Sequence, residues 1–421
     1  MRAIVSSFGS AGDVRPLLGV AWALQRAGHE VVCLLDPAWC ERAERMLGVN
    51  TVPFGVSWDA SEIARRPEWL DLKRGSVRML RELVIPRTGD LVEVARRVCA
   101  DLKPDVIIGH HISFGLPWVA DEAGVPWVMC AVAPSSWPSV DDPNLYPGMP
   151  DRESYPRWTI RLGAAVAGRV IDRAIDPAIN SVRRELGLPK QKRTMLCGQF
   201  SSVRNLGLWS AHFRAPAGDD PSGAVITGFP RLPEDLSLPE DLLVSIAAAK
   251  SAGQPVGVWT LGTTAVHRGA ALRDAFIDAS RKRDICPIVL TGDETLSEAL
   301  RSRGVSSHAY LPHEAILPRA DFAAHHAGIG SSASALRAGI PSIAIPFTHD
   351  QPDNARRLRR LGVAKALKPG GGQTNDARAS FARLIGEMFN DDLARRSAEL
   401  GGLVQDEDWQ RTVVDGIKAI V

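Results

Sequence analysis

The stretch 324–360, AHHAGIGSSASALRAGIPSIAIPFTHDQPDNARRLRR, limits the possible folds more than any other part of the chain. It reads as the end of a strand (321–324), a turn at 325–330, a helix, a second strand over 342–347, and a turn at 348–352 rich in polar groups. Gly328 and Gly330 allow a ligand close to the backbone, because no Cβ intervenes. Ser331 and Ser332 are favourable N-caps for the helix that runs through Ser334 and Leu336 to Gly339. A glycine turn feeding a helix N-terminus presents unpaired N–H groups and the positive end of the macrodipole. That arrangement seats a phosphate. The adjacent histidine and hydroxyls suit a diphosphate better than a neutral ligand.

The chain opens with the same alternation. Residues 3–7 read as a strand, 9–13 as a turn, 14–26 as a helix with Leu17, Leu18, Ala21 and Leu24 on one face, and 31–35 as a strand. Continuous apolar strands joined by helices predict an α/β fold with parallel sheets covered on both faces. Asp36 ends the second strand as in a dinucleotide site, but the preceding turn is GxxG rather than GxGxxG, which argues against NAD. Strands at 106–109 and 127–132 lead into His110-His111 and 133–137. Topology therefore places His110, His111, Ser113, Phe114, Ser135, Ser136 and Trp137 at strand carboxyl ends, where a ligand crevice forms. Between them, 54–97 is looser, with Trp58 and Trp69 among helical fragments, as loops that build a binding pocket often are.

Residues 157–186 read as a helix with Ile160, Leu162, Val166, Val170 and Ile171 as its buried stripe, and 201–210 as a strand. The Gly/Pro/Asp stretch 216–223 is the best linker. The rhythm then restarts: strand 257–261, a turn at Gly262, Thr263 and Thr264, helix 272–281, strand 287–290, helix 297–301 and strand 307–311. Residues 403–421 read as a final helix burying Val404, Trp409, Val413, Val414 and Ile417. Two doubly wound halves imply a crevice between them. The expected division is 1–215, 216–402 and 403–421.

A length of 421 residues suits two such units, and the 45% hydrophobic, 23% charged composition is that of an ordinary folded protein. A net charge of +2 gives no field that would favour nucleic acid. Six scattered cysteines without CxxC pairs read as reduced thiols. No apolar run is long enough to span a bilayer, and Met1-Arg2 lead directly into a strand without a signal peptide, so a cytoplasmic enzyme is expected.

HxGxGSS followed by PFTHDQPDNA resembles the donor signature of GT-B glycosyltransferases that use nucleotide-diphosphate sugars. FGSAGDVRP, TGFP, AYLP, HHAGIG and HDQPDNA, spread over nearly the whole length, are similar to the bacterial branch that glycosylates antibiotics, sterols and lipids. Within it, the chain also resembles the rhamnosyltransferases of rhamnolipid synthesis. Ala327 stands where that family often has glycine. The resemblance implies a GT-B fold, two Rossmann-like domains facing across a cleft, with the terminal helix crossing back onto the first. It also implies an inverting, metal-independent hexosyltransferase without a cofactor. UDP- or dTDP-linked rhamnose, glucose or a deoxyhexose would be the co-substrate, and a hydroxyl on an apolar small molecule, natural product or lipid the acceptor.

Carried onto this sequence, the signature assigns His326, Gly328, Gly330, Ser331 and Ser332 to the diphosphate, with Thr263 and Thr264 facing it. Asp350 and Gln351 would read the sugar, and Tyr310 and Leu311 would meet the nucleobase. Asp13 matches the family's catalytic aspartate, which takes the acceptor's proton. His110 or His111 is the alternative base, and His110, His111, Phe114, Ser135 and Trp137 are acceptor-side candidates. Each position has a plainer role open to it. Asp13 would cap a helix starting at Val14, Asp350 would cap the helix 352–361, His326 would be a turn histidine, and Tyr310 would be core. A non-catalytic nucleotide-sugar-binding protein and a UDP-sugar 2-epimerase are the rivals. The acceptor, the sugar and the oligomeric state are not legible.

Overall fold

The structure is a computed structural model. It describes the whole chain except residues 58–65, 73, 147–148, 150, 152–155, 263–268 and 369–374. Among the described residues, thirteen strands form two sheets, and every pairing between them is parallel. The first has the order β3 (Asn50–Pro53), β2 (Glu30–Leu35), β1 (Arg2–Ser6), β4 (Val106–His110), β5 (Trp127–Ala131), β6 (Arg204–Gly207), β7 (Ala224–Ile226). The second runs β10 (Ser306–His308), β9 (Cys286–Leu290), β8 (Val256–Thr260), β11 (Phe322–His325), β12 (Ser342–Ala344), β13 (Ala364–Ala366). The winding direction reverses at β1/β4 in one sheet and at β8/β11 in the other. Crevices open beyond the carboxyl ends of strands at such reversals.

Central strands are buried along their length, Arg2 at the start of β1 excepted, as both-face coverage requires. Helix α1 (Ala11–Arg26) buries Val14, Leu17, Leu18, Ala21 and Leu24 against the first sheet. The second sheet's core centres on Trp259, Phe276, Phe322 and Phe381, whose neighbouring rings lie 5.6–6.5 Å apart.

Three expectations are corrected. The segment 216–223 does not separate the sheets, because β7 beyond it still pairs with β6. Asp219 and Asp220 hold that loop to the first unit, accepting from Ser139 Oγ at 2.6 Å and from Arg214. The chain passes to the second sheet only after β7. The long helix α2 (Arg157–Glu185) forms as expected, but Leu162, Val166 and Val170 are 57%, 51% and 61% exposed. Its packed side uses Gly168, where a Cβ would meet Leu196, with Ile175 and Ile179 further along.

The final segment is two helices. One (Asp391–Gln405) ends before Asp408, which caps the next (Trp409–Lys418) by accepting from Arg411 N–H. The last helix packs on the first sheet, burying Trp409, Val413 and Ile417, with Trp409 stacked on Trp22 of α1.

Helix α3 (Ile329–Ala338) and helix α4 (Gln351–Arg360) follow β11 and β12. Helix α4 docks on the segment 142–145 beyond β5. Buried Arg357 pairs with Asp353 and Asp142 and donates to Asn144 Oδ1 at 2.8 Å. Asp353 in turn accepts from Leu145 N–H at 2.7 Å, and Arg356 donates to the Pro143 carbonyl at 2.8 Å. Removing one partner of a buried pair strands the other's charge. Arg357→Ala should therefore destabilise the fold by about 3 kcal/mol or more, read as a lower denaturant midpoint. A midpoint within error of the parent's would show that the pair carries no such weight.

Candidate functional site

Both sheet reversals open onto the same space. On the first side, β1 runs into Gly9 and Ser10, and Ser10 caps α1. Asp13 is therefore the helix's third residue, not its cap. It reaches back so that Oδ2 accepts from Ser10 N–H at 3.0 Å and Ser10 Oγ–H at 2.7 Å. This reciprocal box exists because serine, a strong cap, stands three residues before a carboxylate. Oδ1 stays clear of it and lies 3.5 Å from His110 Nε2. About a third of the Asp13 side chain, 32%, remains accessible. Its surroundings push the carboxyl above its ordinary value, burial acting upward against the Ser10 bonds.

His110 ends β4 fully buried, with Nδ1 accepting from Ile112 N–H at 3.4 Å. That bond leaves its proton on Nε2, the nitrogen facing Asp13. Burial pushes its pKa down to about 3, so it is neutral at pH 7. The His111 ring lies tilted against it, centroids 4.2 Å apart, with Nε2 at 3.3 Å from Ser136 Oγ, and its pKa is lowered mainly by burial. Opposite them stands His349, whose Nδ1 is 2.8 Å from Ser76 Oγ. His349 is pushed down to about 4 by burial, against the influence of Asp13. His349 sits inside the HDQPDNA motif, yet nothing in the motif's sequence marks it as part of the site. Its left-handed backbone, φ 57°, could not be foreseen for a non-glycine residue.

On the second side, the turn after β11 takes a form other than expected. Helix α3 starts at Ile329 with Gly328 as its cap, so Ser331 and Ser332 are buried within its first turns and cap nothing. Gly328 has an ordinary φ of −62°. The left-handed residue is Ala327, φ 61°, held by its N–H donating to His325 Nδ1 and its carbonyl accepting from Asn354 Nδ2 at 3.0 Å. A Cβ on Gly328 would lie 2.3 Å from His326 Nε2, and one on Gly262 would lie 2.7 Å from His326 Cε1. These glycines make room for the His326 ring. Only Gly330 leaves open space. His326 is lowered to about 4, mainly by burial, and its Nδ1 is buried with no hydrogen-bond partner among the described residues.

Asp350 lies at the start of α4, its Oδ2 accepting from Asn354 Nδ2 at 2.6 Å. It caps nothing with its side chain. Its pKa rises to about 7, chiefly through burial, with the charge of Asp13 adding to the rise. Gln351 does not point its amide oxygen at this space. Its Oε1 accepts from Phe347 and Thr348 N–H at 2.8 and 3.2 Å, tying the turn to the helix it begins.

The remaining candidates divide. Tyr310 is 64% exposed, with its hydroxyl 3.4 Å from Glu234, so it is not core, whereas Leu311 is buried. Phe114 and Trp137 are packed away, Trp137 against Trp209 and under Arg214, so neither presents a face to the crevice. Ser135 is half-buried at the end of β5. Thr263 and Thr264, like Trp58, lie outside the described residues.

Residues 278–400 match the family model described as Erythromycin biosynthesis protein CIII-like, C-terminal domain. Glycosyltransferase GtfC of Amycolatopsis orientalis is 30% identical over 384 residues, 87% of this chain and 86% of that protein. The chain belongs to the UDP-glycosyltransferase-like family of GT-B proteins. A solved structure of glycosyltransferase VinC in complex with dTDP shares the fold, with a TM-score of 0.69 at 18% identity over 100% of this chain and 99% of that one. Sterol 3-beta-glucosyltransferase of Saccharomyces cerevisiae (strain YJM789) is 26% identical over 390 residues, 87% of this chain but 31% of that protein. This glycosyltransferase-family chain thus spans about a third of the length of such fungal relatives.

Asp350 supplies a sign test. Its folded pKa of about 7 exceeds the ordinary 3.8, so the folded state holds the proton more tightly and stability falls as pH rises between those values. The buried neutral histidines act oppositely, losing stability as pH falls, and comparison with Asp350→Asn cancels them. The variant's thermal midpoint minus the parent's should rise from about pH 4 to about pH 7 and then level off. A difference that is flat or falling over that window would refute the buried setting that raises Asp350.

Proposed function

We propose that the chain is an inverting glycosyltransferase moving a hexosyl group from a UDP- or dTDP-sugar to a hydroxyl on an apolar small molecule, natural product or lipid. One observation carries this reading. The Asp13 carboxylate, in the first turn of α1 after β1, and the polar groups around β11 and α4 of the second sheet face one crevice, which the 2.8 Å contact between Ser76 Oγ and His349 Nδ1 bridges. An acceptor bound on the first side and a sugar nucleotide on the second would meet there. The relative solved with dTDP supports a nucleoside diphosphate as donor.

In this reading Asp13 is the base. Oδ2 is held by Ser10, so Oδ1 is the atom free to take the acceptor's proton. His110 presents N–H toward that oxygen and is neutral, so it orients and steadies Asp13 instead of competing as base. As the acceptor oxygen attacks the anomeric carbon, the glycosidic C–O bond breaks and its electrons leave with the nucleoside diphosphate. In-line attack inverts the anomeric centre. The N-terminus of α3 and His326 face the growing negative charge of the diphosphate, the role preorganised donors play best. No metal or cofactor takes part in this scheme. Asp350, with Asn354 beside it, receives sugar hydroxyls. Gln351 contributes through its amide nitrogen alone, and Tyr310 offers an exposed ring to the nucleobase.

Rhamnose, glucose and deoxyhexoses all remain within this donor class, and the location is taken as cytoplasmic. Asp13→Asn keeps the shape and a weaker acceptor for Ser10, but removes the base. Turnover should fall by roughly a hundredfold to ten-thousandfold. The thermal shift produced by UDP or dTDP should persist. Turnover equal to the parent's would refute Asp13 as base. Loss of the nucleotide shift together with turnover would mean that the substitution disturbed the fold.

A further inference from the structure

Helix α2 leaves an apolar face uncovered. Trp158, Leu162, Val166 and Val170 are 68%, 57%, 51% and 61% exposed, and every residue from 161 to 167 is exposed. Their four-residue spacing makes a continuous ridge about 18 Å long on one helix. Isolated exposed apolar side chains are unremarkable, but a row of four including tryptophan marks a contact surface. Gly163, Ala164, Ala165 and Ala167 fill much of the rest of these turns, so few charges interrupt it.

The charges that do flank it have one sign. From Arg157 to Ile171 there are three arginines (Arg157, Arg161, Arg169) and no acidic residue. Arg157 pairs with Asp141, while Arg161 and Arg169 have no ion pair among the described residues. The short helix Gly75–Met79 and the turn after it pack beside α2 and add exposed Arg78 and Arg81. No described helix is long and apolar enough to cross a membrane. An apolar ridge with Trp at one end and arginines along its borders instead fits the interface of an anionic bilayer, with the apolar side chains among the acyl tops and the guanidinium groups at the headgroup phosphates. A second copy of the chain fits poorly, because symmetric pairing would bring arginine against arginine.

We propose that the exposed face of α2, with its flanking arginines, is a docking surface for an anionic lipid membrane. Its position gives the contact a use. Ser76, on the short helix packed against α2, is bonded to His349 in the crevice. A chain resting on lipid by this face would hold the acceptor side of its crevice near the bilayer, where an apolar acceptor concentrates. This use rests on the proposed acceptor class; the lipid contact itself does not.

The test is co-sedimentation of the full chain with vesicles of phosphatidylcholine, with and without phosphatidylglycerol. The chain should bind the anionic vesicles, and raised salt should weaken it. Leu162→Glu with Val166→Glu should reduce the partition coefficient by tenfold or more. Arg161→Glu and Arg169→Glu should each reduce it by roughly fivefold or more. All four side chains are exposed, so thermal midpoints should not change. Absence of binding by the parent, or undiminished binding by the double variant, would overturn the proposal. So would concentration-dependent dimerisation that the double variant abolishes, which would assign the face to a second copy. Transferase activity is not read in this assay, so failure of the lipid contact and failure of the proposed reaction are separate results.

Discussion

The seat of helix α4 on segment 142–145 fixes the geometry on which everything else depends. Arg357 is buried between Asp353 and Asp142, and Asp353 also accepts from Leu145 N–H. A buried ion pair contributes little net stability, since desolvation offsets much of the attraction, but it penalises any other register heavily. That penalty matters because the same helix begins with Asp350 and holds Asn354 one turn on. The clamp thus sets the position of the second sheet's polar groups relative to Asp13. An apolar interface could slide; this one cannot without leaving a charge unpaired.

Within the crevice, burial decides the protonation states. His110, His111, His326 and His349 are all pushed below their ordinary range by burial, while burial raises the Asp13 and Asp350 carboxyls. The two acids are held differently. Asp13 is gripped at one oxygen by its own helix cap, leaving the other free, while Asp350 shares a short bond with Asn354.

The fold was largely legible because parallel strands buried on both faces leave unbroken apolar runs that a reader cannot mistake for amphipathic ones. The placing of His110 and His111 at the end of β4 followed from topology, whereas Asp13 rested on the family resemblance and lies in the first turn of α1. Details failed where remote residues decide. Trp137 stands at a strand end, yet Trp209 and Arg214, far along the chain, enclose it. The stripe on α2 has helical spacing, and spacing cannot say whether anything lies opposite it. Gln351 has the chemistry to read a sugar, but two backbone N–H groups lie nearer its oxygen. The glycines near His326 look bare for a ligand, but their bareness serves the imidazole first.

The most direct measurement is a crystal structure with UDP or dTDP bound. The diphosphate should lie at the N-terminus of α3 beside His326, with the nucleobase toward Tyr310 and the sugar-bearing end toward Asp350 and Asp13. A nucleotide bound instead at the end of β2, against Asp36, or with its diphosphate remote from α3, would contradict the division of the reaction between the two sheets.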